Sequence, residues 1–280
     1  MFGNIKPAIS TLTRIGMTDF SADAPSTDVK PGATVKIPVS SVSAASAYND
    51  STNNYLTGGS TNWATLTASH YLQGFDIKGA NIDEGLEAAK IKQLFAYRAG
   101  KGIASAVLGN VRDALDGVTA STAVTIPAVA SVTITDYLGL SACKTWLNGQ
   151  DSVLVVNGSE YAKIKAVFAA QNVIGDDKAL ASFLGFADLV CVAGMTARAV
   201  IVPNGSVGFI GRVPAIIARY MESGTQTDED TGLAVGIVVA DDQDHNRIVV
   251  NADLWFGSTV LSAPATAATA GCIKVGTTAA

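Results

Sequence analysis

NIDEGLEAAKIKQLFAYRAGKGIASAVLGNVRDALDG, residues 81–117, is the stretch whose reading decides the fold. It holds no proline and few β-branched residues, so it predicts one long helix. Ile91, Phe95, Ala99, Ile103, Val107, Val111 and Leu115 recur at every fourth position, an apolar ladder that winds slowly around the helix. Lys90, Arg98, Lys101, Ser105 and Arg112 fall on roughly the opposite side. Asn81 is placed to cap the start, with Glu84 as the returning half of a capping box, and Gly117 to end it as a left-handed C-cap. At about 1.5 Å per residue the helix would span on the order of 50 Å, more than a compact domain needs. Gly100, Gly102 and Gly109 inside it cost roughly 1 kcal/mol each against alanine, which fits a close-passing backbone or a bend.

Upstream of the helix, ATVKIPVSSVS (33–43) alternates like a strand, AYNDSTNNYLTGGSTN (47–62) is polar, and WATLTASHYLQGFDI (63–77) returns as strand. Two strands around a long polar connection predict a hairpin-like loop with no partner nearby in the sequence. A lone two-stranded ribbon is barely stable in water, so the loop is expected to pack outside its own subunit. Tyr48, Asn49, Tyr55, Gly58, Gly59 and Trp63 are its candidate inter-subunit contacts. Residues 1–31, with scattered Ser, Thr, Asp and Pro, read as an extended arm.

Downstream, 122–135 reads as strand interrupted by Pro127, 136–147 as a short helix, and SVLVVN (152–157) as a buried strand leading into the helix EYAKIKAVFAAQ. A further short helix is expected at 177–184, followed by three strand-like runs, ADLVCVAG, RAVIVPN and GSVGFIG. Residues 225–261 read as two or three antiparallel strands with DDQDHN as a connecting turn. The Ala/Thr-rich tail from Ser262 reads as irregular. The order of elements predicts an α+β fold with a central sheet.

Of the 280 residues, 15% are charged, against about 25% in ordinary globular proteins, and 48% are apolar. Mean hydropathy is +0.31, yet no apolar run approaches the roughly 18 residues of a membrane span. Such a chain is expected to bury much of its surface between subunits. Net charge is −5 without any Lys/Arg block, which argues against tight sequence-specific nucleic-acid binding but not against loose enclosure of nucleic acid. The first residues lack a secretory pattern, so cytoplasmic synthesis is the default expectation.

Cys143, Cys191 and Cys272 are odd in number and widely spaced, indicating neither a disulfide framework nor a zinc site. His70 lies in a strand. His245 ends the acidic turn Asp241, Asp242, Asp244, and Asp228, Glu229 and Asp230 form a second such turn; both read as solvated turns rather than calcium loops. Gly205, Gly208 and Gly211 are spaced GxxGxxG, but in a strand with no helix opening after them. No catalytic constellation, cofactor site or metal site is expected, and the chain is not read as an enzyme.

The order of parts resembles the major capsid proteins of tailed double-stranded DNA phages, the Hong Kong 97-type fold. GATVKIPVSS with AYND resembles the start of that family's extended loop, and FDIKGANIDEGLEAAKIKQLFAYRAGKGIASAV the strand that runs into its spine helix. SVLVVNGSEYAKIKAVF and GFIGRVPAIIARYMESGTQTDEDTGLAVGIVVADD look like segments of its axial domain and its late strands. The resemblance implies an N-terminal arm (1–31), an extended loop (32–62), a peripheral domain with the spine helix (63–117), a mixed axial domain (118–253), and a return strand with the C-terminal tail (254–280). It implies self-assembly through pentamers and hexamers into an icosahedral shell around packaged double-stranded DNA, built in the host cytoplasm and ending in the virion. Partners so implied are a separate scaffolding protein, a portal and decoration proteins; any fused scaffold is expected to be absent or already removed. Some such proteins join a loop lysine to a neighbour's asparagine as covalent chainmail. An encapsulin-like compartment enclosing protein cargo is the alternative, and a β-rich enzyme or surface protein a more distant one.

Overall fold

The structure, a computed structural model, describes residues 6–21, 34–40, 61–78, 88–127, 132–145, 147, 150–171, 175–213, 222–227, 233–261 and 271–278. Its spine is a 29-residue helix, α2, following the first helix described below and running from Ala88 to Asp116. Ala99, Ile103, Val107, Val111 and Leu115 are all buried, while Arg98, Lys101 and Ser105 face solvent. The ladder read from the sequence is thus the buried face. The side chains of Ile91 and Phe95, and the expected cap at Asn81 and Glu84, lie outside the described residues.

The C-terminus of α2 corrects one expectation. Gly117 is not left-handed; its N–H donates to Asp113 O (3.1 Å), and the Val118 N–H to Leu115 O (3.2 Å). The last turn tightens in 3₁₀ fashion. The helix glycines also divide. A Cβ at Gly102 would meet the Gln73 side chain at 2.7 Å, whereas one at Gly109 would meet nothing within 4 Å. The close neighbour is a side chain, not a backbone.

α2 packs on a six-stranded sheet. Its centre is β12 (Arg247–Val260), which is antiparallel to β11 (Ala234–Asp242), β4 (Ser69–Lys78) and β9 (Val207–Arg212). β10 (Glu222–Thr227) extends the sheet beyond β11, and β1 (Thr18–Asp19) adds parallel to β9. The β11–β12 connection is the expected acidic turn, a 3₁₀ turn at Gln243–His245 closed by Asn246 at φ 47°.

A five-stranded sheet has the order β5 (Ala120–Pro127), β13 (Ile273–Thr278), β8 (Ala199–Pro203), β6 (Ser152–Val156), β7 (Asp188–Cys191). β6 and β8 are buried on both faces, which their unbroken β-branched and aliphatic runs allow. Val153, Val155, Val200 and Val202 enter a core shared with α2 and the larger sheet. Leu154, Val156, Ala199 and Ile201 face the opposite way, under α3 (Ile134–Gly139), α4 (Gly158–Ala170) and α5 (Asp177–Leu184). The layers run helices, sheet, helices, sheet: the α+β class expected.

Two readings of the ends change. Residues 6–15 are not extended but form helix α1 (Lys6–Ile15), whose Ala8, Ile9, Leu12 and Ile15 are buried against α2, β6 and β7. The tail is not wholly irregular, because β13 fills an inner position between β5 and β8. β9 to β12 join β4 in the larger sheet, β12 runs through residue 253, and β13 lies in the smaller sheet. Within 122–135, β5 is described as far as Pro127, and Thr133 with Asp136 forms the capping box that opens α3.

Candidate assembly surface

β2 (Thr34–Ser40) and β3 (Thr61–Thr67) pair antiparallel, Thr34 opposite Thr67 and Ser40 opposite Thr61, as the sequence predicts. Tyr48, Asn49, Tyr55, Gly58 and Gly59 lie outside the described residues; Trp63 lies within them. It sits opposite Pro38 with 62% of its surface exposed, more than any other large apolar side chain among the described residues. Pro38 has no N–H to offer, so one edge of the ribbon is blunted there.

The period-2 pattern gives the ribbon two unlike faces. Thr34, Lys36, Trp63, Thr65 and Thr67 are exposed. Ile37, Leu66 and Ala68 are buried against Ile210 of β9 and Trp255 of β12, with Phe20, Val35 and Leu261 partly buried beside them. The expectation that the loop has no partner in its own subunit is corrected at this root. At the root, too, a Cβ on Gly257 would fall well inside contact distance of the Thr67 carbonyl, so the strands cross as close as backbones can. His70 stacks on Trp255 with ring centroids 5.3 Å apart, and its Nε2 meets the Asp253 carboxylate.

Polar ties that the sequence did not reveal fix the body beneath. Arg14 of α1 grips Asp188 through Nε (2.7 Å) and Nη2 (2.9 Å) and donates to Leu189 O (2.7 Å). The Arg14 hydrogen bond holds the Asp188 carboxyl below its ordinary range. Asp177, at the start of α5, accepts from Lys165 and Tyr161 and pairs with Arg14. Asp116, ending α2, accepts the N–H groups of Thr196 and Ala197, and Lys274 of β13 donates to its carbonyl oxygen (2.8 Å), so the spine is tied to the smaller sheet. Glu160 is 1% exposed on α4 and accepts from Arg198 (2.9 and 3.0 Å) and the Tyr137 hydroxyl (2.5 Å). A signal for it existed: Glu160, Ile164 and Phe168 share one helix face, so a carboxylate sits in an apolar stripe.

The candidate chemistry found in the sequence resolves into structure. Asp242 is shared by Arg247 Nε (2.7 Å) and His245 Nδ1 (2.9 Å), and Arg247 also reaches Asp76. The turn at 228–230 lies outside the described residues. Gly205 takes φ +75° in a turn, while Gly208 and Gly211 lie in β9 where a Cβ would strike Phe20 and Leu233. Gly208 and Gly211 serve close packing, and Gly205 the turn. Among the described residues no group of three or more His, Cys, Asp or Glu is placed to hold a metal, and no helix is long and apolar enough to cross a membrane.

No protein-family model matches the sequence, and no curated protein does. Solved structures do match. The capsid of an empty GTA particle superposes with a TM-score of 0.57 at 11% identity, over 95% of this chain and 90% of that one. A structure from Mycobacterium phage Adephagia gives 0.51 at 18% identity over 96% and 90%, and one from Mycobacterium phage Che8 gives 0.50 at 13% over 91% and 86%. The chain therefore has the Hong Kong 97-type fold of phage major capsid proteins.

Proposed function

We propose that this chain is the major structural subunit of an icosahedral shell, assembling through pentamers and hexamers around double-stranded DNA. The observation that carries the proposal is the capsid fold spanning nearly the whole chain, together with a ribbon that exposes Trp63 instead of burying it. A protein with 15% charged residues and a positive mean hydropathy gains by covering such surface with further copies of itself. The ribbon, with Tyr48, Asn49, Tyr55, Gly58, Gly59 and Trp63, is the inter-subunit contact in this reading. A separate scaffolding protein, a portal and decoration proteins are its further partners, and the virion its final location. Enclosure of DNA needs no sequence-specific contact, in keeping with a net charge of −5.

Electron microscopy of the expressed full chain tests the shell, and a nuclease-protection assay on particles from the native source tests the content. Closed icosahedral particles protecting double-stranded DNA are expected. A chain that stays monomeric under all assembly conditions overturns the shell; particles filled with protein and free of nucleic acid replace the virion with a cargo compartment.

A further inference from the structure

Several basic side chains of the body are spent within it: Arg14 on Asp188, Arg198 on Glu160, Arg247 on Asp242 and Lys165 on Asp177. Arg98 and Lys101 on α2 differ. Both are exposed, and neither has a carboxylate partner among the described residues. Lys101 Nζ lies over the ring of Tyr97, 5.4 Å from its centre, and Tyr97 is itself exposed. Ser105, one turn further on, faces solvent as well. α2 holds five basic residues against two acidic ones, in a chain whose net charge is −5. Of the two acids, Asp113 is taken by Arg112, and Asp116 by the N–H groups of Thr196 and Ala197. The solvent face of the spine is therefore a short positive strip on an acidic protein. Its position is also defined. The ribbon seats on Ile210 and Trp255 on one face of the larger sheet, while α2 covers Ala252, Leu254 and Phe256 on the other.

We propose that the strip of Tyr97, Arg98, Lys101 and Ser105 is a phosphate-contacting surface that rests on double-stranded DNA. Side chains three apart on a helix are neighbours, about 5–6 Å from each other, so Arg98 and Lys101 present two cations side by side. A duplex strand offers a phosphate every ~3.4 Å of its axis, and cations on a convex helix face meet such a row without entering a groove. The Tyr97 and Ser105 hydroxyls add two neutral donors of the kind that position a duplex by its backbone. The strip carries no Asn or Gln to read base edges, so contact is independent of sequence. Two cations make a weak site in one copy, and only many copies on one duplex give it weight. That the DNA is the shell's content rests on the shell reading; the contact itself is a property of the full chain and is measured on it.

The test measures binding of the expressed full chain to a long double-stranded DNA of mixed sequence, from low to physiological salt. Arg98→Gln with Lys101→Gln keeps good helix formers, so circular dichroism should match wild type. The double variant should bind roughly tenfold more weakly at low salt, and the slope of log affinity on log salt should fall by about two. Arg98→Lys should keep the wild-type slope. Lys36→Gln with Lys78→Gln removes the same charge from the ribbon and from the far end of β4, and should leave the slope unchanged. Ultraviolet crosslinking of DNA-filled particles from the native source should join DNA to the peptide that holds Tyr97. Three results overturn the proposal: no binding by wild type at low salt, an unchanged slope in the Arg98/Lys101 variant, or an equal loss in the Lys36/Lys78 variant. A variant that binds DNA like wild type but no longer closes particles also overturns it, and assigns the strip to a second copy of the chain. Failure of the shell reading would look different: no particles by electron microscopy, with the salt slope and its loss intact.

Discussion

Glu160 shows how much of this fold depends on single side chains. Burial pushes its carboxyl upward, but hydrogen bonds from Arg198 and Tyr137 outweigh burial and hold it below its ordinary range. Arg198 also donates to the Pro127 carbonyl (2.6 Å), so one ion pair joins α4, β8 and the end of β5. Arg198→Met strands a buried carboxylate and should cost about 3–5 kcal/mol in chemical denaturation. Glu160→Gln added to it should recover much of that loss; if the double variant is no more stable than the single one, the pair is not the source. The sign with pH follows from the depressed value. The stabilisation is present above the ordinary glutamate range near about 4.3 and is lost as pH falls through the lower folded value. A wild-type chain should therefore lose stability on acidification more steeply than the double variant. Gly257→Ala is the second test at this scale. Its Cβ meets a backbone carbonyl, which cannot rotate away as a side chain can, so a loss of about 1–3 kcal/mol is expected, typical of overpacking. A melting temperature equal to wild type would show that the ribbon root simply lifts.

At the scale of elements, the ribbon is expected to act between subunits. Deleting 49–59 should leave a soluble subunit with near-normal circular dichroism and no large particles; normal shells from that variant would remove the ribbon from the assembly reading. What could be read at this scale depended on whether one periodic signal decided the element. The spine was legible because Ala99 to Leu115 repeat on one face, and α5 because an acidic cap at Asp176 and a left-handed Gly185 bracket it. α1 was missed although Ala8, Ile9, Leu12 and Ile15 have helical spacing; Pro7, two serines or threonines and a further threonine masked it, and Pro7 is harmless in a first turn. β13 was missed because IKVGTT is short and follows an Ala/Thr-rich run, and its place is fixed by partners in β5 and β8 far away in sequence. The hairpin itself was legible, but its seat was not. Which residues lie under Leu66 depends on β9 and β12 coming together, and no local pattern carries that. The same holds for Arg14 with Asp188, 174 positions apart.

For the whole molecule the question is what holds copies together, and the chemistry on hand favours non-covalent cohesion. Covalent chainmail needs a lysine amine to attack a neighbour's asparagine carboxamide, forming an amide and releasing ammonia. A lysine suited to that must be desolvated to become nucleophilic and must reach its partner within a few Å. Lys36 is exposed on β2 opposite Thr65, in the part of the ribbon next to the body. About a dozen residues separate it from Asn49 in the sequence, on the order of 40 Å were that stretch fully extended at roughly 3.3 Å per residue. The next lysine in the chain is Lys78, at the far end of β4. Disulfides offer no substitute at the ribbon. Cys143 and Cys272 are buried in the body with thiols pushed up to about 11 and about 12 by burial, and Cys191 lies on β7 of the smaller sheet. In the proposed shell, cohesion is then expected from apolar area such as Trp63 and from strand pairing between copies. Assembled particles, boiled and reduced, should run as one band near 28.6 kDa. A ladder of multimers surviving that treatment would mean that a lysine reaches its partner after all, and that the ribbon is deployed in a way its root does not foreshadow.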